Sequence, residues 1–322
     1  MGMIIFFMEH YSTDFRLSPD QKKYSGKVRD TYAVGNKIVL FSTDKISCFD
    51  VILPQVIPHK GSVLNGISKY FFEELEKVNS KDFIVNSWVK KFPAPQVSIG
   101  QLCEPIEIEV IVRGYLLGSA WRSYEDGSRE ICGVKLPDGM NEFDAFSEPI
   151  ITPTTKAQEG HDEDISVEQI LSQGLVDRQV WPQITTAALK LFALGQKLAR
   201  EKGLVLSDTK YEFGINSNGA LTIMDEIQTP DSSRYFYENE LNSYNPCNIT
   251  RPQQLSKEFV REWLISQGWN GQDQNPPEMP AELIKEISNK YIDLYELITG
   301  QTFTPDDSGI NEIEKIIRDS LN

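Results

Sequence analysis

The chain has 322 residues, 40% of them hydrophobic and 25% charged, which are the proportions of a globular protein, and at one domain per ~150 residues the length predicts about two domains. Its 47 Asp and Glu against 32 Lys and Arg leave a formal charge of −15. The surface therefore repels polyphosphate backbones and anionic membranes, so any anionic ligand has to be held by a local cluster of cations and backbone N–H groups, while 21 Gly and 17 Pro are too few for a collagen-like or unfolded chain.

The apolar run over 3–8 is too short for a signal-peptide core or a bilayer span, and Phe6 stands where a myristoylation signal needs Ser or Thr. The expected location is the cytoplasm. Gly26 and Lys27, followed by Arg29, could cover phosphates with backbone N–H groups and a lysine. The same residues also suit an ordinary loop entering a strand, and neither G-x-x-x-x-G-K-[ST] nor G-x-G-x-x-G occurs in the chain. The spacing predicts strands over 28–34 and 37–43 joined by Gly35-Asn36, a two-residue hairpin signal that makes a flap. Two loops of similar character follow, Ser42 to Ser47 with Asp50, and His59-Lys60-Gly61. Leu64, Ile67, Phe71, Leu75 and Val78 recur at helical spacing and predict a helix over 63–78. Strands are expected over 83–89 and 106–112.

From Arg113 onward, Gly and Pro punctuate about forty residues, and long connecting loops are expected there. Arg113 and Ser119 flank a glycine-bearing stretch at the end of an apolar strand, a common ligand position, and both suit an anion. Lys156, His161, Asp162 and Asp164 crowd one loop with Gly160. Ser166 and Gln169 form a capping box, and 183–202 is an amphipathic helix stopped at Gly203. Helices are also expected over 256–267, 281–298 and 310–321. Cys48, Cys103, Cys132 and Cys247 lie far apart, without a C-x-x-C, and read as reduced thiols rather than a zinc or disulfide framework.

The most informative segment is a hairpin with strands over 209–215 and 220–226 and a four-residue loop at Asn216 to Gly219. Pairing 215 with 220 predicts Lys210, Glu212 and Asp225 on one face, with Tyr211, Phe213, Ile215 and Met224 on the other. Two carboxylates so placed can clasp Mg²⁺. A solvated charged face has the same pattern. The hairpin leads into Thr229 to Arg234, whose guanidinium would set an anion clamp beside the metal, as a magnesium nucleotide requires.

Taken together, Gly26 to Asp30, Ser42 to Asp50, Arg113 to Ser119, Ile151 to Lys156, Gly160 to Asp162, Asp208 to Gly214 and Asp225-Glu226 through Arg234 resemble, in order, the motifs of the phosphoribosylaminoimidazole-succinocarboxamide synthase (SAICAR synthetase) family. The resemblance implies an α+β fold of two domains with antiparallel sheets and flanking helices, kinase-like and related to ATP-grasp enzymes, with the nucleotide between domains. It divides the chain into a β-rich ATP-covering domain at 1–108 and a larger α+β domain at 109–322. It implies that ATP, carboxyaminoimidazole ribonucleotide and L-aspartate are the small-molecule partners, with no nucleic acid or membrane, in a monomer or small homo-oligomer. Gly26, Lys27 and Arg29 are then expected at the ATP phosphates, Glu104 at the nucleotide within a hinge at 101–108, and Glu212 and Asp225 on ATP-bound Mg²⁺. Arg113, Ser119, His161, Ser233 and Arg234 are expected at substrate, with Lys210, Lys156 and Asp162 near the reacting groups. The rivals are a small-molecule kinase of similar fold and a non-enzymatic acidic scaffold. H-R-D-x-x-x-x-N and D-F-G are both absent, against a protein kinase.

Overall fold

A computed structural model of the chain describes residues 13–79, 84–156, 163–246, 251–255, 257–272, 275–306 and 308–322. In chain order the first elements are β1 (Lys22–Ser25), β2 (Arg29–Val34), β3 (Lys37–Ser42), β4 (Lys45–Cys48), β5 (Val51–Val56) and α1 (Lys60–Val78). Next come β6 (Asn86–Ser87), β7 (Val89–Ala94), β8 (Val97–Gln101), β9 (Cys103–Tyr115), α2 (Gly118–Glu125), β10 (Glu130–Ile131), β11 (Val134–Lys135) and β12 (Ala145–Thr155). The remainder comprises α3 (Val167–Ser172), α4 (Trp181–Arg200), β13 (Leu204–Asn216), β14 (Leu221–Met224), β15 (Ser233–Tyr237), α5 (Glu238–Ser243), α6 (Glu258–Ser266), α7 (Ala281–Thr299) and α8 (Ile310–Leu321). The architecture is α+β with antiparallel sheets; among the described strands only β14 and β6 pair parallel.

The chain divides into two compact units, one of Met1–Tyr70, Val89–Leu102 and Lys257–Asn322, the other of Phe71–Trp88 and Cys103–Ser256. One boundary, about a third of the way along the chain, falls at Leu102/Cys103, and the C-terminal stretch groups with the first unit, whereas the expectation from sequence puts it in the second. Packing explains this. The first unit is a five-stranded sheet in the order β1-β2-β3-β8-β7, whose core residues Tyr32, Val39, Phe41, Val97 and Ile99 are completed by Phe15 and by Ile313 and Ile317 of α8. The flap turn closes as expected, with Val34 opposite Lys37. The sheet is larger than predicted: β1, β8 and β7 extend the hairpin, with β1 on β2, β8 on β3 and β7 on β8.

The second unit is built on a sheet ordered β12-β9-β13-β14-β6, with β15 on the other part of β13. The strand expected over 106–112 runs from Cys103 to Tyr115, and the loops expected after it are largely α2 and β12. Only Asn86–Ser87 of the segment 83–89 pairs with this sheet, and residue 83 lies outside the described residues. Helix α4 packs on β13 and β9, where Gly114 sits against Phe192 and Gly195 against Leu206. The capping box forms as read, with Ser166 and Gln169 each accepting from the other's backbone N–H.

If α8 completes the first core, Ile317→Ala should destabilise that unit by about 2–5 kcal/mol. Ile265→Ala, at a site 54% exposed, should change stability by less than about 0.5 kcal/mol. Urea unfolding of both variants checks this, and equal effects would contradict the packing.

Candidate active site

Side chains alternate across a strand, so the pairing of β9 with β13 decides which residues share a face. Arg113 is opposite Asp208, Ile111 opposite Lys210 and Glu109 opposite Glu212. On the flanking strands Thr152 is opposite Ile111, Thr154 opposite Glu109, and Arg234 opposite Asp208. These residues line one face. The residues out of phase with them, Val110, Val112, Tyr211 and Phe213, are at most 1% exposed on the side where α4 packs, and Gln228 donates there to the Tyr211 hydroxyl at 2.7 Å and to the Leu191 carbonyl at 3.0 Å. One side of the sheet is core; the other holds a continuous polar row.

At one end of the row Asp208, 3% exposed, stands between two guanidiniums. It accepts from Arg113 Nη1 at 3.4 Å and from Arg234 Nη1. Arg113 also donates from Nε to Thr152 Oγ1 at 2.8 Å and from Nη2 to Ser119 Oγ at 3.3 Å. Gly118, with φ +62°, begins α2 directly against Arg234, whose Nη2 lies 2.8 Å from where a Cβ would be. Burial lowers the Arg113 pKa, Asp208 opposes that, and Arg234 adds to the lowering. Asp164 also opposes the lowering; the guanidinium stays charged, and its donors, with those of Arg234 and Ser119, suit an anion.

At the other end Glu109 and Glu212 face each other, and Lys210 lies between them, its Nζ 2.5 Å from Glu109 and 3.1 Å from Glu212. Lys156 reaches Glu212 from the end of β12, and Thr154 Oγ1 donates to Glu109 at 3.3 Å. Burial pulls the Lys210 pKa down but is outweighed by Glu212, Glu109 and Asp225, which hold it above its ordinary value. Lys156 shifts upward for the same reasons, burial opposing, Glu212 and Asp225 raising. Asp225 therefore belongs to this electrostatic group.

The hairpin register differs from the expected one by a residue. Ile215 pairs with Leu221 and Glu212 with Met224, because Asn216 N–H donates to the Ala220 carbonyl and Asn216 Oδ1 accepts from the N–H groups of Asn218 and Ala220. The loop thus has three residues ending in Gly219 at φ +76°, a standard three-residue hairpin. Met224 consequently shares the face of Glu212 instead of the core face, and Asp225 lies beyond the strand. Its φ of +58° and the bond from Trp88 Nε1 to its carbonyl at 2.8 Å set its position where strand alternation no longer applies.

The structure thus groups Arg113, Ser119 and Arg234 at one end, and Lys156, Lys210, Glu212 and Asp225 at the other. Ser233 is out of phase with Arg234, and its hydroxyl lies 2.7 Å from Thr209 Oγ1. Glu104 is exposed on β9 opposite Ile215. Gly26, Lys27 and Arg29 belong to the first unit, where Gly26 N–H closes the β1–β2 turn on the Arg29 carbonyl at 2.8 Å and Lys27 pairs with Asp50 at 2.5 Å. His161 and Asp162 lie outside the described residues. Glu109 stands outside every motif singled out in the sequence, and Asp208, Thr152 and Thr154, though within such motifs, are given no role there. Counting back from Arg113 in steps of two reaches Glu109, and from Lys210 reaches Asp208, so strand alternation was the available signal. Among the described residues no group of three or more His, Cys, Asp or Glu is placed to hold a metal ion; two carboxylates suffice for Mg²⁺ when phosphates and water supply its other ligands.

Cys132 lies beside the anion end, with its Sγ 3.4 Å from the Pro153 carbonyl. Burial, then Asp164, push its pKa up to about 12 against the opposing Arg113. A thiol in the unfolded chain ionises from about pH 8.5, so this contribution to stability is present below that pH and is lost as pH rises towards the folded value. At pH 9 alkylation of Cys132, followed by peptide mass spectrometry, should be at least about tenfold slower in the folded chain than in urea. Equal rates would exclude this environment.

Residues 22–276 match the family SAICAR synthetase. The chain is 49% identical over 314 residues to phosphoribosylaminoimidazole-succinocarboxamide synthase of Bacteroides thetaiotaomicron, covering 96% of this chain and 97% of that one. It is 45% identical over 313 residues to the synthase of Cytophaga hutchinsonii, covering 96% and 97%. Among solved structures, SAICAR-synthase from Saccharomyces cerevisiae complexed with SAICAR superposes with a TM-score of 0.76 at 31% identity, covering 91% of this chain and 99% of that chain. By sequence over nearly its whole length and by fold, the chain belongs to the SAICAR synthetase family.

Proposed function

We infer that this chain is a carbon–nitrogen ligase of purine biosynthesis, joining L-aspartate to the carboxylate of carboxyaminoimidazole ribonucleotide with consumption of ATP. The family membership supports the reaction, and the polar row supports its chemistry. From Arg113 to Glu109 is four residues, about 13 Å along a strand, so an anion-binding end and a carboxylate–lysine end lie one small ligand apart on a rigid sheet. That spacing is the observation that carries the reading. The yeast relative bears SAICAR, the product of this reaction, in its complex.

A carboxylate resists attack by an amine because oxide is a poor leaving group. Phosphorylation solves this: a substrate carboxylate oxygen takes the γ-phosphoryl and ADP departs, the aspartate amine then attacks the acyl carbon, and phosphate leaves as the amine loses a proton. Such steps need positioning and charge neutralisation rather than a protein nucleophile. Arg113, Ser119 and Arg234 would hold the ribonucleotide's anionic groups. Lys156 and Lys210 would face the transferring phosphoryl, with Gly26, Lys27 and Arg29 at the ATP phosphates. Glu212 and Asp225 fit Mg²⁺ as hard oxygen donors and would hold it; bound there, the ion supplies charge neutralisation on the triphosphate. The small-molecule kinase is the less favoured alternative, because the family matched and the relatives named above are synthases. We place the enzyme in the cytoplasm; no described helix is long and apolar enough to cross a membrane.

Amide formation should require ATP, Mg²⁺, aspartate and the carboxylated imidazole ribonucleotide together. Turnover with any one omitted would overturn the reading. Arg113→Ala should raise the KM for the ribonucleotide at least about tenfold, the cost of losing a charged hydrogen bond, and leave the KM for ATP within about twofold. An unchanged ribonucleotide KM would remove Arg113 from the substrate site.

A further inference from the structure

Glu109 has no place in the reaction scheme above, yet it is 8% exposed and directly opposite another carboxylate, Glu212. Like charges on directly opposed residues of an antiparallel pair destabilise a sheet. The arrangement persists because the Lys210 ammonium sits between them, 2.5 Å from Glu109 and 3.1 Å from Glu212, and because Thr154 Oγ1 supplies Glu109 with a further donor at 3.3 Å. Lys156 is the second cation on Glu212. A divalent cation arriving at Glu212 must therefore compete with two ammonium groups for the same oxygens.

We propose that Glu109 is a positioning residue that draws the Lys210 ammonium away from Glu212, leaving Glu212 able to hold the divalent cation while Lys210 remains in the site. The proposal rests on the reading of Glu212 and Asp225 as the Mg²⁺ ligands and adds to it the residue that keeps the ligand available. Thr154 anchors Glu109 on the strand opposite Lys210's approach, so the carboxylate is held from both sides. Without the Glu109 charge, Lys210 has Glu212 as its nearest anion and pairs with it fully. The cation then faces a stronger competitor. Glu109 itself touches neither substrate nor metal in this scheme; its effect passes through Lys210.

The test is Mg²⁺-dependent binding of ATP to the intact protein by titration calorimetry, without turnover. Glu109→Gln keeps the shape and removes the charge. It should weaken the apparent Mg²⁺ affinity at saturating ATP at least about tenfold, and Glu109→Asp should recover most of that loss. In a Lys210→Met background the same Glu109→Gln substitution should change Mg²⁺ affinity less than about twofold, because the competing ammonium is gone. If the full loss persists in that background, Glu109 acts by its own field on the cation and the positioning role is overturned. It is equally overturned if Glu109→Gln binds Mg²⁺ as the parent does. If the parent itself shows no Mg²⁺-dependent ATP binding, the metal reading fails and the proposal falls with it. If Glu109→Gln alone folds poorly, the double variant against Lys210→Met still shows whether the Glu109 charge acts on the cation without Lys210, and a loss of about tenfold there overturns the positioning role.

Discussion

Strands β9 and β13 are each thirteen residues long, and their mutual register sets Arg113 and Glu109 on one face with Asp208, Lys210 and Glu212. With Asp208 opposite Arg113 and Glu212 opposite Glu109, the even positions of β13 and the odd positions of β9 share one face. A slip of β13 by one residue would bury Asp208, Lys210 and Glu212 against α4 and expose Tyr211 and Phe213. The apolar cost of exposing two aromatic side chains and the desolvation cost of burying three charges both oppose that slip, so the core on one side holds the chemistry in place on the other.

Charge is distributed along the row in two opposite senses. A protein carrying −15 overall sets two guanidiniums on Asp208 at one end, with Asp164 near them. At the other it sets three carboxylates against two lysines. The first favours an anion, the second a cation that can itself accept phosphate oxygens, and the acidic remainder of the surface repels polyanions that do not fit. The buried pairs are costly in isolation, since desolvation offsets much of their attraction. Their value lies in fixed geometry, as a reaction governed by positioning demands.

Local signals were legible in the chain wherever the deciding contacts lie within a few residues. The Ser166–Gln169 capping box, the Gly35-Asn36 turn and the long helix α4 depend on near neighbours, and they form as the residues predict. The hairpin at Asn216 is legible, but its loop is one residue shorter than the expected four, because side-chain and backbone bonds of Asn216 set it and these do not follow from counting residues. In β7, Lys90, Lys91 and Pro93 interrupt alternation, and the places of β8 and β7 in the sheet come from pairing of β8 with β3 and of β7 with β8.

The sequence by itself determined the motifs, the polar residue types in them and, through their order, the family to which the chain belongs. Only the tertiary structure decided that Glu109 joins those motifs, that Asp208 stands between Arg113 and Arg234, that Ser233 is turned away from them, and that α8 closes the core of the first sheet. The reason is separation along the chain. Arg113 meets Asp208 across 95 residues and Lys37 meets the Leu321 carbonyl across 284, and contacts over such intervals are fixed by packing and strand register, which no local pattern of residues encodes.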